Sequence, residues 1–427
     1  MNIEAVYQLF LANPSVQTDT RKLLPGDLFF ALSGPTYNGN DFAIAALQAG
    51  ASYAIVSKAA DTRNKQLIVV DDVLDTLQQL AKFHRHQFAI PFIAVTGSNG
   101  KTTTKELVNA VLATHYTTYT TQGNLNNHIG IPLTLLRIKK DAELAVIEMG
   151  ANHQKEIAGY CGYVMPTHGI ITNCGKAHLE GFGGVEGVRK GKGELYDYLR
   201  QNNGTALVYN GYDYLVEMSK GIPQFTYGIH NADVTGEALA SEPFLHAKLT
   251  SPETFELATQ LVGAYNLPNV LCAAAAGFFF GVPHQKIKRA IEEYQPDNSR
   301  SQLLVKGTNH IILDAYNANP TSMALAVENL GKMHATHKVV MLGAMMELGE
   351  ESLWEHQQII ELLKKYQWKN VVLVGGDFAA IDHPYLFLRS STEAAEWYTQ
   401  QQFEHATILV KGSRSMKMEK VVVDGRM

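Results

Sequence analysis

The sequence predicts an α/β protein of three domains: a central doubly wound sheet, a small α/β unit before it and a Rossmann-like unit after it. Three observations carry that expectation. At 427 residues the chain exceeds what one ordinary core supports. Short apolar runs alternate with stretches long enough for helices, the pattern of largely parallel sheets. One such run, in FIAVTGSNGKT at residues 92–102, ends in a glycine-rich turn that opens a helix.

The first block, residues 1–88, holds the turn-rich LLPGDLFFALSGPTYNGNDF and then a helix-plus-strand pattern, FAIAALQAGASYAIVSK. The second, residues 89–297, contains the strands FIAVTG, LAVIEMGA and GIITNCG. Its apolar run at 270–282 carries two glycines and is too short to span a bilayer, so it reads as a buried helix. QPDNSRS, near 295–301, is the expected linker. The third block, residues 298–427, holds the strands HIILDAY, KVVMLGA, NVVLVGG and ATILVKG, alternating with helical patterns such as SMALAVENLGKM and WEHQQIIELLKKY. No G-x-G-x-x-G follows these strands, which argues against a nicotinamide dinucleotide.

Composition narrows the classes. Apolar residues at 46% and charged residues at 18% describe a folded soluble chain. A net charge of −5 and a pI near 6.3 leave no broad basic surface, which argues against nucleic acid as a partner. Cys161, Cys174 and Cys272, odd in number and in apolar or glycine-rich settings, suggest reduced thiols in a cytoplasm. The start, MNIEAVYQLFLANPS, shows no basic n-region and no small-residue cleavage site, so no signal peptide is expected. The expectation is a cytoplasmic protein without a membrane span, working as a monomer.

The turn at Thr96, Gly97, Ser98, Asn99 and Gly100 places backbone N–H groups at a helix N-terminus, where they can wrap an oligophosphate. Lys101 would reach the β- and γ-phosphates, the Thr102 hydroxyl would sit on Mg²⁺, and Thr103 continues the loop into the helix. The pattern is shorter than G-x-x-x-x-G-K-[ST], with Val95 where the first glycine would stand. A chance glycine-rich turn before a lysine-capped helix is the alternative. Strand and helix flank the turn where the mechanism needs them, which favours a phosphate loop and ATP.

Ligands of doubly wound sheets bind beyond the carboxyl ends of strands, so residues just after each central strand matter most. Glu148, in IEMGANH, is placed to hold Mg²⁺, or is a solvated acid at a strand end. His178, in CGKAHLEGFGG, is a candidate ligand on a loop, with nothing in its spacing to set it apart. Lys192, in VRKGKGELYDYL, reads by itself as an ordinary solvated lysine. Asp314 and Asn317, in ILDAYNANP, could bond a ribose or a metal shell, or form an Asx-turn before Pro320. Lys411, Ser413 and Arg414, in LVKGSRSM, offer a carboxylate or phosphate clamp.

Together these stretches resemble the Mur ligases, the ATP-dependent amide-forming enzymes of peptidoglycan precursor synthesis. The resemblance runs through TDTRKLLPGDLFFAL, TGSNGKTTTKE, GNLNNHIGIPLTLL, VIEMGANHQKEI, AHLEGFGGVEGV, GKGELYDYL, YNLPNVLCAAAA, DAYNANPTSM and LVKGSRSMKME. GNLNNHIGIP, EMGANHQKEI, HLEGFG and DAYNANP look particular to the branch that adds D-Ala-D-Ala. The resemblance implies a central ATP-binding sheet between a nucleotide-sugar-binding first domain and a Rossmann-like third. It implies ATP and two Mg²⁺ ions, with UDP-MurNAc-tripeptide and D-Ala-D-Ala as substrates. Lys101 and Thr102 look like the phosphate and Mg²⁺ contacts, and Glu148 and His178 like ligands of a second Mg²⁺. Lys192 matches a lysine that in this family is carbamylated by CO₂, which turns a cation into an anionic oxygen ligand and reverses the reading of Lys192 taken alone. Asn266 is similar to the asparagine that meets adenine, and Arg300 and Asp314 to third-domain residues that close over ATP. Thr18, Asp19, Thr20 and Arg21 resemble the uridine-nucleotide site, and Asn124, Asn126 and Asn127 the loop facing the muramoyl sugar. Two departures stand out: Tyr37-Asn38-Gly39-Asn40 where D-G-H is common, and Ala344 where the family usually has an aspartate. The rivals are another amide ligase of the superfamily, such as the one adding the third residue or a folylpolyglutamate-type enzyme, and an ATP-driven switch without ligation.

Overall fold

Three sheets organise the chain in a computed structural model that describes residues 2–59, 63–297 and 299–422. Asn298, where the third block was expected to begin, and the last five residues lie outside the described residues.

The first sheet is wholly parallel, with β1 (Val16–Gln17), β2 (Leu28–Phe30), β3 (Tyr53–Val56) and β4 (Leu67–Val69) side by side in that order. Alternation along the strands divides its side chains between two faces. Leu28, Phe30 and Ile55 meet Val6 and Phe10 of helix Ile3–Ala12 and Leu77 and Leu80 of helix Val73–Arg85. Phe29, Ala54 and Val56 meet Ala43 and Ala46 on the other side. Helix Val73–Arg85 starts where Asp72 takes the N–H of Asp75, and its apolar stripe faces the core.

The end of that helix docks on the second domain. His84 Nε2 lies 2.8 Å from Ile138 O. Arg85 is buried, with no carboxylate paired to it among the described residues: Nε donates to Val164 O at 2.8 Å, NH2 to Met165 O at 2.9 Å and NH1 to Phe88 O at 2.8 Å. Its guanidinium carbon lies 3.6 Å from the Phe92 ring centroid.

The second sheet has nine strands: β5 (Phe92–Thr96), β6 (Thr118–Thr120), β7 (Leu144–Glu148), β8 (His168–Ile171), β9 (Thr205–Tyr209), β10 (Gln224–Gly228), β11 (Val234–Leu239), β12 (Phe244–Ser251) and β13 (Phe255–Val262). Their order is β13-β12-β11-β10-β9-β8-β5-β7-β6. From β6 to β11 the pairs are parallel, and β12 and β13 add an antiparallel edge. The chain winds one way from β5 to β7 and the other from β8 onward. The carboxyl end of β5 is therefore a topological switch point, where a ligand crevice belongs. The buried helix expected at 270–282 is Leu267–Phe279, with Pro268 in its first turn and its alanines fully buried. The antiparallel edge was not foreseen.

The third sheet contains β14 (Gln302–Lys306), β15 (Asn309–Asp314), β16 (His337–Gly343), β17 (Asn370–Val374), β18 (Leu386–Leu388) and β19 (Ala406–Lys411), in the order β14-β15-β19-β16-β17-β18. Only β14 runs antiparallel. The four strands expected from sequence are the inner β15, β16, β17 and β19, buried enough to read as continuous apolar runs. The two partly exposed edges, β14 and β18, went unread. Among the described residues, no helix is long and apolar enough to cross a membrane.

Candidate functional site

The loop after β5 adopts a backbone shape that a side chain would obstruct. Gly97 has φ 144° and Gly100 φ 80°. A Cβ on Gly97 would lie 2.0 Å from Thr172 Oγ1, and one on Gly100 2.7 Å from Asn269 Oδ1. The Thr96 hydroxyl donates to Met149 O at 2.7 Å, tying the end of β5 to the end of β7. From the β8 side, Asn173 O accepts the Ser98 N–H at 2.9 Å and Asn173 Oδ1 the Asn99 N–H at 3.1 Å. The Ser98 hydroxyl donates to Gly175 O at 2.8 Å, and the Thr172 hydroxyl to Asn99 O at 2.6 Å. Lys101 arches back over its own loop, with Nζ 2.7 Å from Gly97 O and 3.1 Å from Ser98 O. Burial lowers its pKa to about 8; Glu148 acts against that shift and Arg300 adds to it.

Glu148 closes β7 and is 1% exposed. Its Oε2 accepts the Thr102 hydroxyl at 2.8 Å and its Oε1 the Asn126 amide at 2.7 Å. A hydroxyl, a carboxylate and an amide are hard oxygen donors of the kind Mg²⁺ takes. Mg²⁺ is usually held by one or two carboxylates plus phosphates, with several waters kept. The residues present therefore fit the ion, although among the described residues no group of three or more His, Cys, Asp or Glu is assembled as a cage.

Lys192 sits mid-helix in Val185–Gln201 and is 1% exposed, contrary to the solvated lysine its own neighbourhood suggests. Nζ donates to Ala151 O at 3.0 Å and lies 4.9 Å from the Phe182 ring centroid. Burial first, then Lys101, push its pKa to about 7. His178, at φ 53°, carries Nδ1 2.5 Å from Glu347 Oε2, a contact between the second and third domains. The imidazole beside it holds the Glu347 carboxyl below its usual range.

On the third sheet, register sets Asp314 beside Lys411 at the carboxyl ends of β15 and β19. Lys411 Nζ lies 2.5 Å from Asp314 Oδ2 and 3.2 Å from Asn317 O. Asp314 Oδ1 also takes the Ser301 N–H at 3.2 Å. Arg300 stacks 3.7 Å from the Tyr316 ring centroid, and its Nε is buried without a partner among the described residues. Asn319 caps helix Pro320–Lys332 and donates Nδ2 to Asn99 Oδ1 at 2.7 Å, so the third domain touches the loop directly. Asn266 donates to Val262 O at 2.9 Å and accepts from Asn269 at 2.9 Å.

These groups line one cavity of about 470 Å³ between the second and third domains. It gathers Ser98, Asn99, Gly100, Lys101 and Thr103 with Asn126, Asn127, Glu148, His178, Asn266, Arg300, Asp314, Asn317 and Lys411. Thr96, Gly97 and Thr102 support it from behind, as does Lys192. Other expected residues lie apart from it. Ser413 is buried, donating to Ala318 O at 3.2 Å and accepting the Met346 N–H at 2.9 Å, so it joins two loops. Arg414 is exposed, 3.5 Å from Glu419. Asn124 offers its carbonyl to the Asn126 N–H at 2.8 Å. Thr18, Asp19, Thr20 and Arg21 lie on the first domain, where Asp19 grips Arg21 through two bonds of 2.8 Å. At the two departures, Asn40 Oδ1 accepts the Ser57 N–H at 2.9 Å and the Lys58 N–H at 3.1 Å, and Ala344 O accepts the Ser413 N–H at 3.2 Å. Sequence reasoning missed Asn173 and Asn319, and their order after strand ends was the available signal.

Three family models match the chain: the Mur ligase catalytic domain over residues 15–85, the Mur ligase middle domain over 95–277 and the Mur ligase glutamate ligase domain over 299–414. The UDP-N-acetylmuramoyl-tripeptide–D-alanyl-D-alanine ligase of Escherichia coli K12 is 37% identical over 96% of this chain and 92% of its own length. The protein of the same name from Bacillus subtilis 168 is 33% identical over 99% and 97%. A crystal structure of MurF from Acinetobacter baumannii superposes with a TM-score of 0.88 at 31% identity, covering 98% of this chain and 97% of that one. The MurF ligase of Thermotoga maritima in complex with ADP gives 0.86 at 25% identity, over 96% and 97%.

Proposed function

The chain belongs to the Mur ligase family, and from that membership we propose that it joins D-alanyl-D-alanine to UDP-N-acetylmuramoyl-tripeptide, converting ATP to ADP and phosphate. The observation that carries this reading is the cavity itself. A phosphate loop and a buried carboxylate on one sheet face Asp314, Asn317 and Lys411 on another, which is the arrangement of a phosphate donor meeting a second substrate. The relatives' shared name supplies the substrates.

A carboxylate oxygen of the tripeptide attacks the γ-phosphorus, and ADP leaves. The amine of D-Ala-D-Ala then attacks the carbonyl carbon of the acyl phosphate. Phosphate departs, the amine loses a proton, and the amide remains. Phosphoryl transfer asks for positioning and charge neutralisation more than covalent help. The Ser98 and Asn99 N–H groups are taken by Asn173, so the N–H groups at the start of helix Lys101–Ala113 orient the phosphates, and Lys101 leaves its loop carbonyls to follow them. Arg300 Nε, buried without a partner among the described residues, supplies a donor to the cavity that Asn266 also lines. Thr102 and Glu148 would hold one Mg²⁺, and Glu148, His178 and carbamylated Lys192 a second. Bound Mg²⁺ neutralises phosphate charge. Lys192 becomes a carbamate when its neutral amine adds to CO₂, forming an N–C bond and releasing a proton. The third domain excludes water that would hydrolyse the acyl phosphate. We place this activity in the cytoplasm, carried out by a monomer.

The test is phosphate release with ATP, Mg²⁺ and UDP-MurNAc-tripeptide, with and without D-Ala-D-Ala. The expected result is release that needs both substrates, with the pentapeptide product seen by mass. Release indifferent to them would replace the ligase with an ATPase switch. Release with another amine alone would keep the mechanism and change the acceptor.

A further inference from the structure

The segment just past β8 grips the third domain at several points, and Lys176 lies at their centre. Its backbone N–H donates to Thr321 Oγ1 at 3.1 Å, in the first turn of helix Pro320–Lys332. Its ammonium lies 2.5 Å from Glu355 Oε1, in the first turn of helix Ser352–Leu363, and 4.8 Å from the Trp354 ring centroid. One residue of the second domain thus binds two helices of the third. Lys176 does not line the catalytic cavity, so its charge is not aimed at substrate.

We propose that Lys176 is a positioning residue that holds the third domain shut over the phosphate loop through Glu355. The Glu355 side chain is 3% exposed in the closed arrangement, while Lys176 is 37% exposed. A carboxylate so enclosed needs a cation; the amino end of its helix supplies only a partial charge. When the third domain swings away, both groups regain water. The pair therefore favours the closed arrangement specifically, and its loss shifts the balance toward the open one. The same closed arrangement carries the Asn319 to Asn99 bond, so the latch bears directly on the loop that receives phosphate.

A ligand that needs the closed form binds more weakly in proportion to the closed fraction, while saturating ligand restores closure. Lys176→Met is therefore expected to raise KM for ATP by about tenfold and leave kcat within about twofold. Glu355→Gln should do the same, Lys176→Arg should stay close to the parent, and the double variant should be no worse than the larger single one. The native thiols are all buried, so a dye pair on one introduced exposed cysteine in the second domain and one in the third reports opening without interference. Without ligands, Lys176→Met should move the energy-transfer distribution toward low efficiency, and saturating ATP should return it. An unchanged distribution overturns the latch, as does a loss of kcat at constant KM. Only the kinetic arm rests on the ligase reading. The dye arm is read without turnover, so failure of the latch and failure of the ligase assay are distinguishable.

Discussion

An amine whose pKa falls to about 7 is about half neutral at neutral pH, and a neutral amine is the form that adds to CO₂. Lys192→Ala is expected to lose phosphate release and to regain part of it with acetate, a small anionic oxygen donor. Full activity without rescue would remove the carbamate from the mechanism. The same burial makes a stability prediction. The unfolded lysine titrates near 10.5 and the folded one at about 7, so between those values the unfolded chain binds the extra proton. Stability therefore rises with pH across that window. In CO₂-free buffer, Lys192→Met should melt higher than the parent near pH 7, and calorimetry should find the gap closing toward pH 10. None of this was legible around Lys192, because Ala151 and Phe182 bury it from other segments. Lys101 was legible because its strand, turn and helix are all local.

The proposed phosphate loop, from β5 into helix Lys101–Ala113, is the element on which nucleotide binding would depend. Gly97→Ala places a Cβ against Thr172 Oγ1 at a backbone angle side chains avoid. The expected outcome is a folded protein whose ATP affinity drops at least about tenfold by titration calorimetry, at a cost of the order of 1–3 kcal/mol for a strained site. Unchanged affinity would mean the loop tolerates another path. The loop itself was readable from eleven consecutive residues, but Asn173 and Asn319 reach it from elsewhere in the chain. The inner strands were readable as apolar runs. β12 carries a different signal, Leu245, Ala247 and Leu249 inward alternating with His246, Lys248 and Thr250, the period-2 pattern of a half-buried strand, which a search for continuous apolar runs passes over.

At the scale of the molecule the two joints differ in kind. The first domain is pinned to the second by Arg85, two carbonyls and the Phe92 ring, largely out of water. The third domain is held by polar pairs that reach solvent. The first two domains should then move as one body against the third. Arg85→Met leaves Val164 O and Met165 O without their donor, and is expected to cost about 2–4 kcal/mol in urea unfolding. A loss under about 0.5 kcal/mol would show the joint to be dispensable.

The proposed phosphate loop, Glu148 and Asn173 lie at the carboxyl ends of strands in one largely parallel sheet, Asp314 and Lys411 at those of another, and the two edges share a cavity. Neither scaffold has to change for its rim to change. With the roles proposed above, insertions or substitutions beyond β15 and β19 would alter the acceptor side while the proposed phosphoryl-transfer rim after β5, β7 and β8 stays as it is. Acceptor choice and phosphate chemistry are thus separable inheritances, free to diverge at different rates within one architecture.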